Sequence, residues 1–186
     1  MRPIGGTVIN MKLIEDLKKL KYGAYALLLI AIELSLYYLM NPELTFTIDE
    51  KLNEYGDDLL PVMILFTPIS ALIEELGLRA FPHVICIGLI KGWPSFTDLK
   101  KRIRSPNEGK HYFVFMIPLF GAANGIVHLT NVASASSINI LKYFFIHFVG
   151  GSYLGTIFLR YGFWQVYITH LLCDMFLLTY SMIFQG

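Results

Sequence analysis

Charge is scarce in this chain: Asp, Glu, Lys and Arg make up 16% of its 186 residues, while 55% are apolar. A water-soluble domain carries about 25% charge, so the balance excludes that class and makes a lipid bilayer the natural solvent. A net charge of only +1 excludes the basic footprint of a nucleic-acid-binding protein. The two cysteines, Cys86 and Cys173, lie in separate apolar segments. They read as buried thiols rather than as a disulfide or metal framework. Internal repeats, low-complexity tracts and a His-Glu-x-x-His pair of helical zinc ligands are also missing. The N-terminus shows neither an apolar core with a small-residue cleavage site nor a myristoylation start, so no removable signal peptide is expected.

What is present is a series of apolar runs. Residues 8 to 21 put Ile9, Leu13, Ile14, Leu17 and Leu20 on one helical face with Lys12, Lys18, Lys19 and Lys21 largely elsewhere, the pattern of an interfacial amphipathic helix. A first span follows over Tyr22 to Met40, carrying Glu33 near its middle. Glu33 fits either a pairing role between helices or a place in an active cavity. Later spans are expected over residues 59 to 90, Tyr112 to Val132, Ile138 to Leu159 and Phe163 to Phe184, with Arg160-Tyr161-Gly162 as the last turn. The fold class is therefore all-α: one membrane domain over residues 1–186, with an interfacial segment 1–21 and a bundle of about five spans over 22–184.

Residues 41–58 are acidic and residues 91–112 basic. The positive-inside bias places the N-terminus and the 91–112 loop in the cytoplasm and the 41–58 loop outside. Gly121 and Gly125, then Gly151 and Gly155, are small-xxx-small spacings that let helices approach closely. Pro61, just after Asp57 and Asp58, marks a helix start. The segment from 59 to 90 would extend roughly 48 Å as a helix against a hydrocarbon core of ~30 Å, so it must tilt, protrude or break. Pro82 supplies a mechanism, because its ring opposes the carbonyl of Leu78, and Pro68 is a possible second kink.

Just before Pro82 stand Glu74, Glu75 and Arg79, and charges inside a span need a reason. Glu75 and Arg79 are i and i+4 and can neutralise each other; Glu74 points about 100° away and is the freer carboxylate. Asn124 with His128, and His170 with Asp174, are further i, i+4 polar pairs on other spans. A carboxylate and two imidazoles converging in a low-dielectric site suit the activation of water. Three separate polar networks that merely pin helices together would use the same residues. For His83, Lys142 and His147 that structural reading is the expectation. A zinc triad of Glu74, His128 and His170 is a further reading, against which stands the origin of all three ligands on different helices.

Glu74-Glu75-x-x-x-Arg79, then Gly-Ile-Val-His128-Leu, then His170-x-x-x-Asp174, all within apolar spans, resemble the ordered motifs of the CAAX protease and bacteriocin-processing (Abi) family, whose members include the type II CAAX prenyl endopeptidases. The resemblance covers roughly residues 59 to 184. It implies a glutamate-dependent intramembrane peptidase without a metal or other cofactor, acting on a peptide or prenylated protein C-terminus held at the membrane lipid. It further implies that Glu74 and His128 activate water, that His170 and Asp174 stabilise the oxyanion, and that Glu75 and Arg79 support them. An Asp donates a hydrogen bond only when protonated, so Asp174 is expected to orient His170. One departure from the family pattern is Asn124, where a Phe usually stands four residues before the histidine. Asn124 is expected to support the site.

Two other functions fit the same residues: a non-catalytic immunity or regulatory protein with a polar helix-locking core, and, on weaker grounds, a transporter. The span ladder also poses a geometric test. His128 lies about 16 residues into its span and His170 about seven, an offset of roughly 14 Å for straight, level helices. The catalytic reading requires the fold to remove that offset.

Overall fold

The computed structural model describes residues 6–40, 59–106, 108–129 and 137–184, with side chains over 21–40, 61–106, 108–129 and 139–179. The acidic 41–58 loop and the side chains of residues 8–20 lie outside the described residues. Everything regular among the described residues is helical: α1 (Gly6–Met40), α2 (Leu59–Glu75), a π-helical turn (Leu76–Ala80), α3 (Phe81–Lys91), α4 (Phe96–Arg104), α5 (Lys110–Leu129), α6 (Ser137–Tyr161) and α7 (Phe163–Phe184). Three of these stretches, Lys21–Met40, Pro61–Lys91 and Lys110–Leu129, are long and apolar enough to cross a membrane. The last two expected spans form helices of 25 and 22 residues.

Three local expectations change. Helix α1 runs unbroken for 35 residues, so the amphipathic stretch and the first span belong to one helix. No proline interrupts residues 6–40, and a change of apolar face does not by itself break a backbone. The kink assigned to Pro82 takes the form of the π-turn just before it, in which the Phe81 N–H donates to the Leu76 carbonyl, five residues back. The wider turn accommodates a proline whose ring opposes an ordinary i−4 carbonyl. The basic 91–112 loop contains the nine-residue helix α4. Ser95 caps it, its Oγ accepting from the Asp98 N–H at 3.2 Å.

The bundle is inside out relative to a soluble protein. Leu89 is 77% exposed, Val114 71% and Leu65 69%, whereas Glu75, Arg79 and His83 are completely buried. Apolar surface faces lipid, and the polar groups are held within, as a bilayer requires.

Helices α5 and α6 share the most extensive contact. The glycine pairs make it, as their spacing predicts. A Cβ on Gly155 would stand 2.6 Å from the Phe120 ring, and one on Gly121 2.7 Å from the Phe148 carbonyl oxygen. Helix α7 packs on α1, α2 and α6, and its core with them includes Leu29, Phe158, Val166 and Cys173. Gly162 (φ 89°) starts α7, and a side chain there would collide with the Arg104 carbonyl. The end of α4 is thereby seated against the start of α7.

Candidate active site

The π-turn separates the duties of the two glutamates. On its buried side, Glu75 Oε1 lies 3.0 Å from Arg79 Nη1, both side chains fully enclosed. Arg79 Nη2 donates to Asn124 Oδ1 at 3.2 Å, and Asn124 Nδ2 donates to the His147 carbonyl at 2.9 Å. Glu75 Oε1 also lies 2.7 Å from His170 Nδ1. With Glu75 ionised against Arg79, a carboxylate can only accept, so Nδ1 carries the proton and Nε2 is turned the other way. One chain of polar contacts thus ties α2, the π-turn, α5, α6 and α7 together.

Glu74 sits on the other side of this chain. Ser70, one turn earlier, donates from Oγ to Glu74 Oε1 at 3.3 Å. Glu74 Oε2 is buried without a hydrogen-bond partner. It lies 3.9 Å from His128 Nε2 and 3.8 Å from His170 Nε2. Asp174 Oδ2 is 3.5 Å from the same His170 nitrogen. These separations are too long for good direct hydrogen bonds and are contacts between charge-bearing groups. The side chains of Glu74, His128 and Asp174 keep 28%, 23% and 32% of their surface open, against 0% for Glu75 and Arg79. The first set is reachable from outside; the second is sealed.

The sequence-predicted residues Glu74, His128, His170 and Asp174 therefore meet, and the offset read from the span ladder is removed. Level, parallel starts for α5 and α7 are excluded by the shared contact with Glu74. Asn124 does not add a group beside Glu74: both halves of its amide are spent on Arg79 and His147. His83 lies elsewhere, its Nδ1 2.6 Å from the Tyr112 hydroxyl and its ring edge-on to Phe158. The expected structural role of His147 is incomplete, because its ring stacks on His128 with centroids 4.1 Å apart and planes 13° from parallel. The Tyr37 hydroxyl stands 3.3 Å from His147 Nε2, and the Tyr143 ring flanks it. Glu33 reaches α6 and packs against Gly150.

Ser70 was legible as the i−4 neighbour of Glu74, a spacing that puts both on one face. No local signal marks His147 or Tyr37, whose positions depend on how α1, α5 and α6 meet. Among the described residues no group of three His, Cys, Asp or Glu side chains is arranged as a metal-ligand set.

The all-helical membrane bundle thus brings carboxylates and imidazoles of α2, α5 and α7 together between its helices. A family model for type II CAAX prenyl endopeptidases, Rce1-like, matches residues 56–176. The chain belongs to that family, and is an integral membrane protein of the CAAX protease class. No curated protein and no solved structure matches it.

Proposed function

We propose that this protein is an intramembrane endopeptidase that hydrolyses a peptide bond in the C-terminal region of a prenylated or otherwise hydrophobic peptide. The observation that carries the proposal is the unpartnered Glu74 Oε2, buried within 4 Å of two imidazole nitrogens from two other helices. A buried carboxylate oxygen without a donor is costly, and a site that keeps one has a use for it.

In the proposed reaction a water between Glu74 and His128 gives a proton to Glu74 as its oxygen attacks the scissile carbonyl. The C–O bond forms, and the carbonyl π pair moves to oxygen. His170, held through Nδ1 by Glu75, turns Nε2 toward that oxyanion and in its imidazolium form donates to it. Asp174 aligns the imidazole. Collapse breaks the C–N bond, and the proton held by Glu74 goes to the leaving amine. The products are a carboxylic acid, which then gives its proton to solvent, and a free amine, with Glu74 again ionised. The N-terminus and the basic 91–112 segment face the cytoplasm in this proposal, which presents the site to cytoplasmic C-termini.

The chain of contacts from His170 through Glu75, Arg79 and Asn124 to His147 also supports a second reading, in which the polar core only locks helices. A cleavage assay separates the two. The purified protein in detergent is offered farnesylated and unmodified hydrophobic peptides, with Glu74→Gln, His170→Ala and Glu75→Ala alongside. Cleavage that persists in chelator and vanishes in Glu74→Gln, at unchanged thermal stability, supports the peptidase. A wild type that cleaves nothing while all three substitutions lower stability establishes the scaffold.

A further inference from the structure

Helix α4 connects two candidate spans. The stretch Pro61–Lys91 ends before it and Lys110–Leu129 begins after it, so α4 lies at a bilayer surface. Its two flanks differ in charge. On one flank Arg102 and Lys91 pair with Glu108, and Asp98 and Lys101 share the same groove, so cations and carboxylates compensate. On the other flank a groove of about 520 Å³ lies between α4 and the start of α7. Phe96, Leu99 and Ile103 of α4 and Phe163 and Trp164 of α7 form its apolar walls, and Lys100 and Arg104, one helical turn apart, are its charged groups. No carboxylate lines it. Among the described residues neither side chain of this cation pair has a partner.

We infer that this groove binds one anionic glycerophospholipid, its headgroup phosphate between Lys100 and Arg104 and its acyl chains leaving along Phe96 and Trp164 into the bilayer. Two uncompensated cations on one wall select a net negative headgroup over a zwitterionic one. The apolar walls select a lipid over a soluble phosphate. Phe96 is 83% exposed and Trp164 55%, an arrangement that water penalises and an acyl chain covers. The turn at Gly162 seats α7 against the Arg104 backbone, so the groove is preformed. It lies apart from the Glu74 site and is independent of the proposed reaction.

The test uses the full-length protein in nanodiscs of mixed phosphatidylcholine and phosphatidylglycerol, extracted into detergent and weighed by native mass spectrometry. The expected result is one retained phosphatidylglycerol per chain. Lys100→Gln with Arg104→Gln should lower that preference roughly tenfold or more, while Lys101→Gln with Lys91→Gln, the same change in net charge on the other flank, should preserve it. All four side chains are exposed or half-exposed, and a melting curve confirms folding of each variant. Equal retention of both lipids by the wild type overturns the inference. So does an equal loss in the two double variants, which marks a diffuse basic surface, or displacement of the lipid by millimolar inorganic phosphate, which marks a soluble-anion site. Unchanged lipid retention in Lys100→Gln/Arg104→Gln together with a raised KM for peptide would assign the groove to substrate instead.

Discussion

The imidazole of His147 lies flat on that of His128, 4.1 Å between centroids and 13° from parallel, while the His147 carbonyl accepts a hydrogen bond from Asn124, four residues before His128. The two contacts fix the same stretch of α5 from two sides, one through a ring and one through the backbone. Tyr37 of α1 and Tyr143 of α6 also contact the His147 ring, so the group against which His128 stacks is itself held by two helices.

Removing that stack should disturb the reaction more than the fold. His147→Ala is expected to lower kcat roughly tenfold to a hundredfold, the scale on which misplacement of a catalytic group is felt, with KM little changed. His147→Phe keeps a flat ring against His128 and should recover much of the rate. Steady-state kinetics on the two variants decide the matter: equal losses in both would show that stacking is not what positions His128.

The neighbouring glutamates should separate cleanly. Glu74→Gln is expected to cost a factor of at least about 10² to 10⁴ in rate at nearly unchanged stability, the range of a lost general base. Glu75→Ala leaves Arg79 buried without its counter-charge and should destabilise the protein by about 3–5 kcal/mol. Unfolding in graded detergent, measured beside activity, distinguishes a chemical loss from a structural one.

Asn124 is expected to be a stability residue. Asn124→Leu deprives the buried Arg79 Nη2 of its acceptor, at a cost of about 1–3 kcal/mol, and removes a second donor from the His147 carbonyl. Asn124→Phe must also seat a ring where α5 and α6 approach so closely that a Cβ added to Gly151 would stand 2.4 Å from the Asn124 Cβ. Either variant should unfold at lower temperature than wild type in a detergent melt.

Gly155 tests the close approach of α5 and α6. A Cβ there would sit 2.6 Å from the Phe120 ring, itself fully buried edge-on against Phe158. Gly155→Val should cost about 1–3 kcal/mol through overpacking, and it should lower activity as well, since the same helix pair carries His128 and His147.

A pH dependence follows from Glu108, which lies outside the spans. Burial pushes its carboxyl up, but hydrogen bonds from Lys91 and Arg102 outweigh burial and hold the group below its usual value of 4.5. Because the folded value is depressed, the stabilisation is present above the ordinary value and is lost as pH falls through the folded one. The wild type should therefore lose stability from about pH 5 downward relative to Glu108→Gln, and the two melting curves should converge in acid.

The sequence by itself determined the solvent, the helical class and the chemistry available. Apolar runs of about 20 residues with scarce charge are satisfied by helices in a bilayer, and i, i+4 spacing pairs Glu75 with Arg79 and leaves Glu74 free. Gly121, Gly125, Gly151 and Gly155 named their own close contact, because backbone approach needs a missing Cβ. Helix α4 was legible in principle from the Ser95-x-x-Asp98 cap but was masked by the charge of its segment. Only the tertiary structure decided that His128 and His170 reach the same carboxylate oxygen, since helix stagger and inclination are set by packing between residues far apart in the chain. It also decided that Pro82 is accommodated by a π-turn immediately before α3, and that Asn124 and His147 brace the site. A helix wheel gives the direction of a side chain around its own axis; where that axis lies relative to the next one is written in the contacts between helices.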